Sequence, residues 1–186
     1  MSILEIIKSR RSVRKFKDIT VESEKIDRLI EAAMWAPSAM NSQPWAFVVI
    51  QDKAVLQSIS DNSKKLLLEN MTNFPALEKY RGVLEKNDFN IFYNAPILIT
   101  IYAKDNGLYS KEDTALAAQN LMLEAHSIDL GTCWIGFARE YMDLEETKNK
   151  FKVSSEYSAV APIIVGYPEI VPSQSIRNKP IIFYRR

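Results

Sequence analysis

The apolar positions of this chain fall into two periods, and the switch between them lays out its elements. Ile3, Leu4, Ile6 and Ile7 cluster as a short N-terminal helix. Ile26, Leu29, Ile30, Ala33 and Met34 then repeat at helical spacing, with Thr20 as the expected N-cap and Glu22 and Glu24 in the first turn. Ala46-Phe47-Val48-Val49-Ile50 reads as a buried strand. Lys53 to about Asn70 reads as helix, although the contiguous Leu66, Leu67 and Leu68 spoil its amphipathic pattern. Ile97 to Ala103 is a second strand, entered through Asn94-Ala95-Pro96 and left through Asp105-Asn106-Gly107. Lys111 to about Ser127 is a largely buried helix with Ala115, Ala118, Leu121, Met122 and Ala125 on one face.

After Gly131, Thr132 to Phe137 reads as a short strand-like segment. A charged helix from Glu140 to about Lys150 and a buried strand from Ala159 to Val165 follow, closed by Gly166-Tyr167-Pro168. The order predicts an α+β or α/β layered domain around one sheet. Asn73 to Asn90 has no clear period. It reads either as a lid over a pocket or as a surface helix with a loop. The final apolar run, Ile181 to Tyr184, follows a long polar segment and needs a sheet to join, in its own chain or in a partner.

Two polar stretches interrupt this pattern. Pro37 to Trp45 (PSAMNSQPW) is bracketed by prolines that stop the preceding helix and keep the chain extended before Pro44. Ser38, Asn41, Ser42 and Gln43 offer hydrogen bonds there, to a ligand or simply to water around a connecting loop. Arg10-Arg11-Ser12-Val13-Arg14-Lys15-Phe16 interleaves cations with apolar residues. In an extended chain Arg10, Ser12 and Arg14 share one side. That set suits a phosphate, whose oxygens guanidinium groups bind bidentately, and it also suits a solvated basic surface.

Composition narrows the classes. The chain has 186 residues, 47% hydrophobic and 25% charged, so one domain spanning 1–186 is expected. A net charge of +1 offers no global field for nucleic acid or membrane binding. The single cysteine, Cys133, cannot form an internal disulfide and fits a reducing, cytoplasmic setting. Nothing near it would activate it as a nucleophile. His126, the only histidine, has no ligand partner at metal spacing and reads as a helix-end residue. The first eleven residues lack the apolar core of a signal peptide, and no apolar run is long enough to span a bilayer. Five glycines, with no GxGxxG or Walker pattern, argue against a Rossmann site.

Taken together, SRRSVRKF, APSAMNSQPW, AAQNLMLEAHSIDLGTCWIGF and APIIVGYP make the chain similar to the FMN-dependent nitroreductase family from about residue 3 to 180. The resemblance implies a three-layer α+β sandwich with a mixed, mainly antiparallel sheet. It also implies a homodimer whose tail, about residues 169–186, embraces the partner and adds Ile181–Tyr184 to its sheet. Arg10, Arg11, Ser12 and Arg14 match the motif for the flavin phosphate, ribityl chain and pyrimidine edge. Pro37, Ser38, Ala39 and Asn41 match the loop that reaches the flavin from the other subunit. Ile135 and Gly136 match the backbone beside N5, and Arg177 and Lys179 the basic pair that closes on the phosphate. NADH or NADPH would supply hydride, and a small acceptor such as a nitroaromatic or quinone would receive it, in a ping-pong cycle. No side-chain base is needed. Other implied readings are a family member with a different reductive or dehydrogenase reaction, and a flavin-binding storage or sensor protein with poor turnover.

Overall fold

The computed structural model describes residues 2–105 and 107–186, so Asn106 in the expected turn lies outside the described residues. Four strands, β1 (Trp45–Ile50), β2 (Ile97–Lys104), β3 (Gly131–Trp134) and β4 (Tyr157–Gly166), form one sheet in the order β1-β2-β4-β3. Every pairing between them is antiparallel. Among the described residues a parallel element enters only through the isolated bridge Ser12–Thr132.

The central strands carry the core because their side chains alternate between two buried faces. Ile97, Ile99 and Ile101 of β2, with Ala161, Ile163 and Val165 of β4, pack under α2 (Ser23–Met34) and α5 (Ser110–Ser127). Leu98 and Tyr102 of β2, with Ala159 and Ile164 of β4, face α3 (Lys53–Glu69) and α6 (Arg139–Asp143). The Tyr102 hydroxyl donates to Met142 O at 3.0 Å, and burial pushes its phenol well above the usual range. Helices therefore cover both sides of the sheet. By contrast β1 is an edge strand and is only half-buried, not the buried strand its composition predicts.

Several boundaries differ from expectation. α2 starts at Ser23 with Glu22 as N-cap, not at Thr20, because Val21 is drawn into the core and the Glu22 carboxylate accepts from the Tyr167 hydroxyl at 2.6 Å. Met34, expected in the core stripe, is exposed. The charged helix after residue 139 is two helices, α6 and α7 (Glu145–Lys150), separated by extended Leu144. The break turns the Asp143 carboxylate toward β4, where it accepts from Ala159 N–H at 2.7 Å. The strand expected over Thr132 to Phe137 ends at Trp134 and passes into a 3-10 turn, Gly136–Ala138. Residues 71–80 are 3-10 turns, followed by the one-turn helix α4 (Arg81–Leu84).

Candidate functional site

α1 (Ile3–Ser9) is set by a capping box in which Ser2 N–H donates to Glu5 Oε2 and Glu5 N–H donates to Ser2 Oγ. It releases the chain at Arg10 into an extended run that is laced to the sheet. Val13 N–H donates to Thr132 O at 2.9 Å, and Lys17 N–H to Tyr167 O at 2.9 Å. Val13 is 3% exposed and lies flat on Gly131, where a Cβ would come within 2.7 Å of Val13 Cγ2. Only glycine permits this approach. Burying Val13 turns its neighbours Ser12 and Arg14 away from the core, as alternation predicts.

The structure brings a tail arginine to this segment. Arg177 is close enough to act electrostatically on Arg10, whose guanidinium is held below its usual value first by burial and then by Arg11 and Arg177. The Arg11 guanidinium donates to Lys8 O and Arg10 O at 2.7 Å each and to Ser173 O at 3.3 Å, so it also straps the tail down. Among the described residues, no carboxylate lies within ion-pairing distance of Arg10, Arg11, Arg14 or Arg177. Cations crowded together without counter-ions suit an anion. Lys179 is exposed on the tail beyond them.

Arg14 lies over the Tyr93 ring at 5.9 Å and, like Arg10, acts electrostatically on Cys133, so the two arginines share that side of the segment. Arg14 and Tyr93 line a cavity of about 830 Å³ whose floor includes Cys133, Trp134, Ile135 and Gly136. Burial pushes the Cys133 thiol up, consistent with an inert cysteine. Ile135 N–H is committed to Pro162 O at 2.8 Å. Among the described hydrogen bonds Gly136 N–H has no partner, and a Cβ at Gly136 would meet nothing within 4 Å. Gly136 therefore lines the cavity with an N–H that has no partner among the described hydrogen bonds, and Ile135 lines it with its N–H already committed. Phe74, Leu77 and Tyr80 form the opposite wall, with Tyr80 edge-on to Phe137 at 5.4 Å. The region from 73 to 90 is thus part wall and part anchor, since Leu84 is buried.

The polar loop is built differently. Met40, Asn41 and Gln43 all have positive φ, 52°, 55° and 45°. For a bulky residue such as Met40 this is strain that the surroundings must hold. The holder is Asp113, buried on α5 and missed in the sequence reading. Its carboxylate accepts from Ala39 N–H at 3.1 and 3.2 Å and from Ser42 Oγ at 3.5 Å. Ser38 Oγ accepts from Gln43 N–H at 3.0 Å. One signal was available: Asp113 falls four residues before Ala117, on the stripe that continues through Leu121 and Ala125. Pro37, Ser38, Ala39 and Asn41 line neither the large cavity nor a smaller one of about 410 Å³ beside Arg10 and Arg11, and Met40 is 99% exposed. The loop faces outward.

So does other apolar surface. Ile3, Leu4 and Ile7 of α1, Trp35, and Ile176, Ile181, Ile182 and Phe183 of the tail are all exposed. Residues 181–184 pair with no strand among the described residues.

The pattern of the Nitroreductase family matches residues 7–167, which take in the basic segment, the polar loop and the cavity floor but not the tail. The chain belongs to the nitroreductase family. A protein of Methanothermobacter thermautotrophicus, provisionally described as an NADH dehydrogenase/NAD(P)H nitroreductase, is 30% identical over 173 residues, covering 90% of this chain and 78% of that protein. An FMN-bound nitroreductase from Bacteroides fragilis superposes with a TM-score of 0.86 over both full chains at 21% identity, a likeness of fold. An FMN-dependent nitroreductase from Clostridium difficile has a TM-score of 0.70 at 30% identity, covering 93% and 91% of the two chains. This chain is a nitroreductase-like oxidoreductase on the α+β nitroreductase fold. No helix among the described residues is long and apolar enough to cross a membrane.

Proposed function

We propose that this nitroreductase-family protein is a homodimeric FMN enzyme that uses NADH or NADPH to reduce a small acceptor such as a nitroaromatic or quinone. The observation that carries this reading is the continuity of two features. A cluster of arginines without counter-ions ends where a cavity of about 830 Å³ begins, and Arg14 belongs to both. The residues fit the cofactor: a phosphate carries about two negative charges and needs several cations and hydroxyls.

Arg10, Arg11, Ser12, Arg177 and Lys179 would hold the phosphate. Arg14 would lie at the pyrimidine edge and stabilise negative charge there. Gly136 would offer its free N–H at the reactive edge, with Ile135 fixing that turn through Pro162. Bound FMN supplies hydride and electron transfer, while the chain's own residues bind, orient and exclude water. Phe74, Tyr80 and Phe137 would wall the place where donor and acceptor stack in turn.

Pro37, Ser38, Ala39 and Asn41 would act on the partner's site. An outward loop held in a strained shape by a buried carboxylate is suited to an interface. The exposed apolar faces of α1 and the tail would be covered in the same dimer, with Ile181–Tyr184 adding to the partner's sheet.

The test is a visible spectrum of purified protein, followed by separate anaerobic additions of NADH and NADPH. A yellow protein that bleaches with either supports the reading. A colourless protein that ignores added FMN overturns it.

A further inference from the structure

His126 stands where no catalytic role requires it, at the end of α5 and against the end of α1. Ser9 Oγ lies 2.7 Å from His126 Nε2. The same hydroxyl donates to Glu5 O at 2.7 Å, so its proton is already placed. With that proton on Glu5 O, the Ser9 lone pair accepts from Nε2–H, the tautomer that leaves Nδ1 as the position for a second proton. Protonation at Nδ1 keeps the Ser9 bond. The imidazole can change charge without releasing the helix end that delivers Arg10 and Arg11.

The surroundings are lopsided in charge. His126 lines a second cavity, of about 410 Å³, with Arg10, Arg11, Lys17, Asp129 and Tyr167. Burial, then Arg10 and Arg11, lower the affinity of His126 for a proton, and Asp129 opposes them. Arg177 adds a further cation beside Arg10. An anion arriving among these arginines offsets their positive charge and so weakens what opposes protonation of the imidazole.

We propose that His126 is a specificity-determining residue of the phosphate site, taking up a proton at Nδ1 when a phosphate monoester binds at Arg10 and Arg11. It thereby favours the phosphorylated flavin over its dephosphorylated form. This rests on the FMN reading above. Ser9 and His126 together position the arginines, and the added charge supplies the preference.

The linkage has a defined sign. His126 binds its proton more tightly in the loaded protein than in the free one. The extra affinity for the phosphorylated ligand is fully present below the free-state pKa and is lost as pH rises through the loaded-state pKa. The phosphate's own second ionisation, near about 6, acts in the opposite direction and remains when the histidine is replaced.

Because the chain has one histidine, a single imidazole C2–H resonance reports the group directly. That resonance is titrated by NMR from about pH 5 to 8 in cofactor-stripped protein, alone, with FMN and with riboflavin. FMN is expected to raise the histidine pKa by about one pH unit, a roughly tenfold change in proton affinity, and riboflavin to leave it in place. His126→Gln, which keeps an N–H for Ser9, is expected to lose about three- to tenfold of the preference for FMN over riboflavin near pH 6 and little near pH 8. An unchanged titration in protein that is yellow with stoichiometric FMN overturns the inference. Should the protein refuse FMN, inorganic phosphate is the probe. A raised pKa with phosphate then keeps the role of His126 while the cofactor reading falls, and an unchanged one overturns both.

Discussion

The central strands and the C-terminal tail are both rich in branched apolar residues, yet they end in opposite environments. β2 and β4 bury Ile97, Ile99, Ile101 and Ile163 completely between two helical layers. The tail leaves Ile176, Ile181, Ile182 and Phe183 in the open, with Phe183 98% exposed. Fully burying one such side chain is worth about 1.5–3 kcal/mol. The strands collect that stabilisation within one chain, and the tail has nothing of its own chain to collect it from. The same kind of side chain is buried where the fold supplies a facing layer and left open where, among the described residues, it supplies none.

Breaking the strand side of this contrast should have the largest effect. Ile163→Ala removes atoms from a closed core and should cost about 2–5 kcal/mol in urea unfolding. Deleting residues 170–186 should do the reverse. The unfolding midpoint of the remaining chain should scarcely move, while FMN affinity falls about ten- to a hundredfold and the dimer dissociates in light scattering. A deletion that unfolds the chain but leaves dimers among its soluble fraction would contradict this account of the tail.

Asp113→Ala sharpens a related contrast, between the basic segment laced to the sheet and the strained polar loop held by one carboxylate. It leaves Ala39 N–H without its acceptor and should cost about 1–2 kcal/mol of FMN binding, measured by fluorescence titration. Asp113→Asn, which keeps an acceptor oxygen, should cost less. Equal losses from both would mean that the charge, not the hydrogen bonds, holds the loop.

The smallest effect is a pH dependence. His126 resists protonation in the folded, cofactor-free protein, so the unfolded chain binds more protons as pH falls through its ordinary value of about 6.5. Stability of the stripped protein should decline slightly from about pH 7.5 to 6, and His126→Gln should flatten that slope. A wild-type slope of the opposite sign would refute the environment described for the imidazole.

What the sequence disclosed follows from the same physics. Residues 97–103 and 159–165 announced themselves as strands because both faces are buried, which demands an unbroken apolar run. The prolines at 37 and 44 marked the loop because proline acts on the backbone locally. The alternation of Ser12, Val13 and Arg14 survived into the structure for the same reason. What stayed hidden was relational. The break at Leu144 exists so that Asp143 can meet Ala159, sixteen residues away. The role of Asp113 appears only when α5 is laid beside residues 39–42, more than seventy positions earlier. The commitment of Ile135 N–H to Pro162 O could not be read from either residue.

The central claim is that each site combines the basic segment of one chain with the polar loop of its partner. Its most direct test is complementation between two damaged chains, Arg10→Ala/Arg11→Ala and Asn41→Ala/Asp113→Ala. Each homodimer should be colourless or nearly so. Unfolded, mixed and refolded together, half of the dimers should be mixed, each with one intact site, so about one site in four should bind FMN and bleach with NAD(P)H. Mixed dimers that form, as shown by differently tagged chains, and yet bind no FMN would contradict the account.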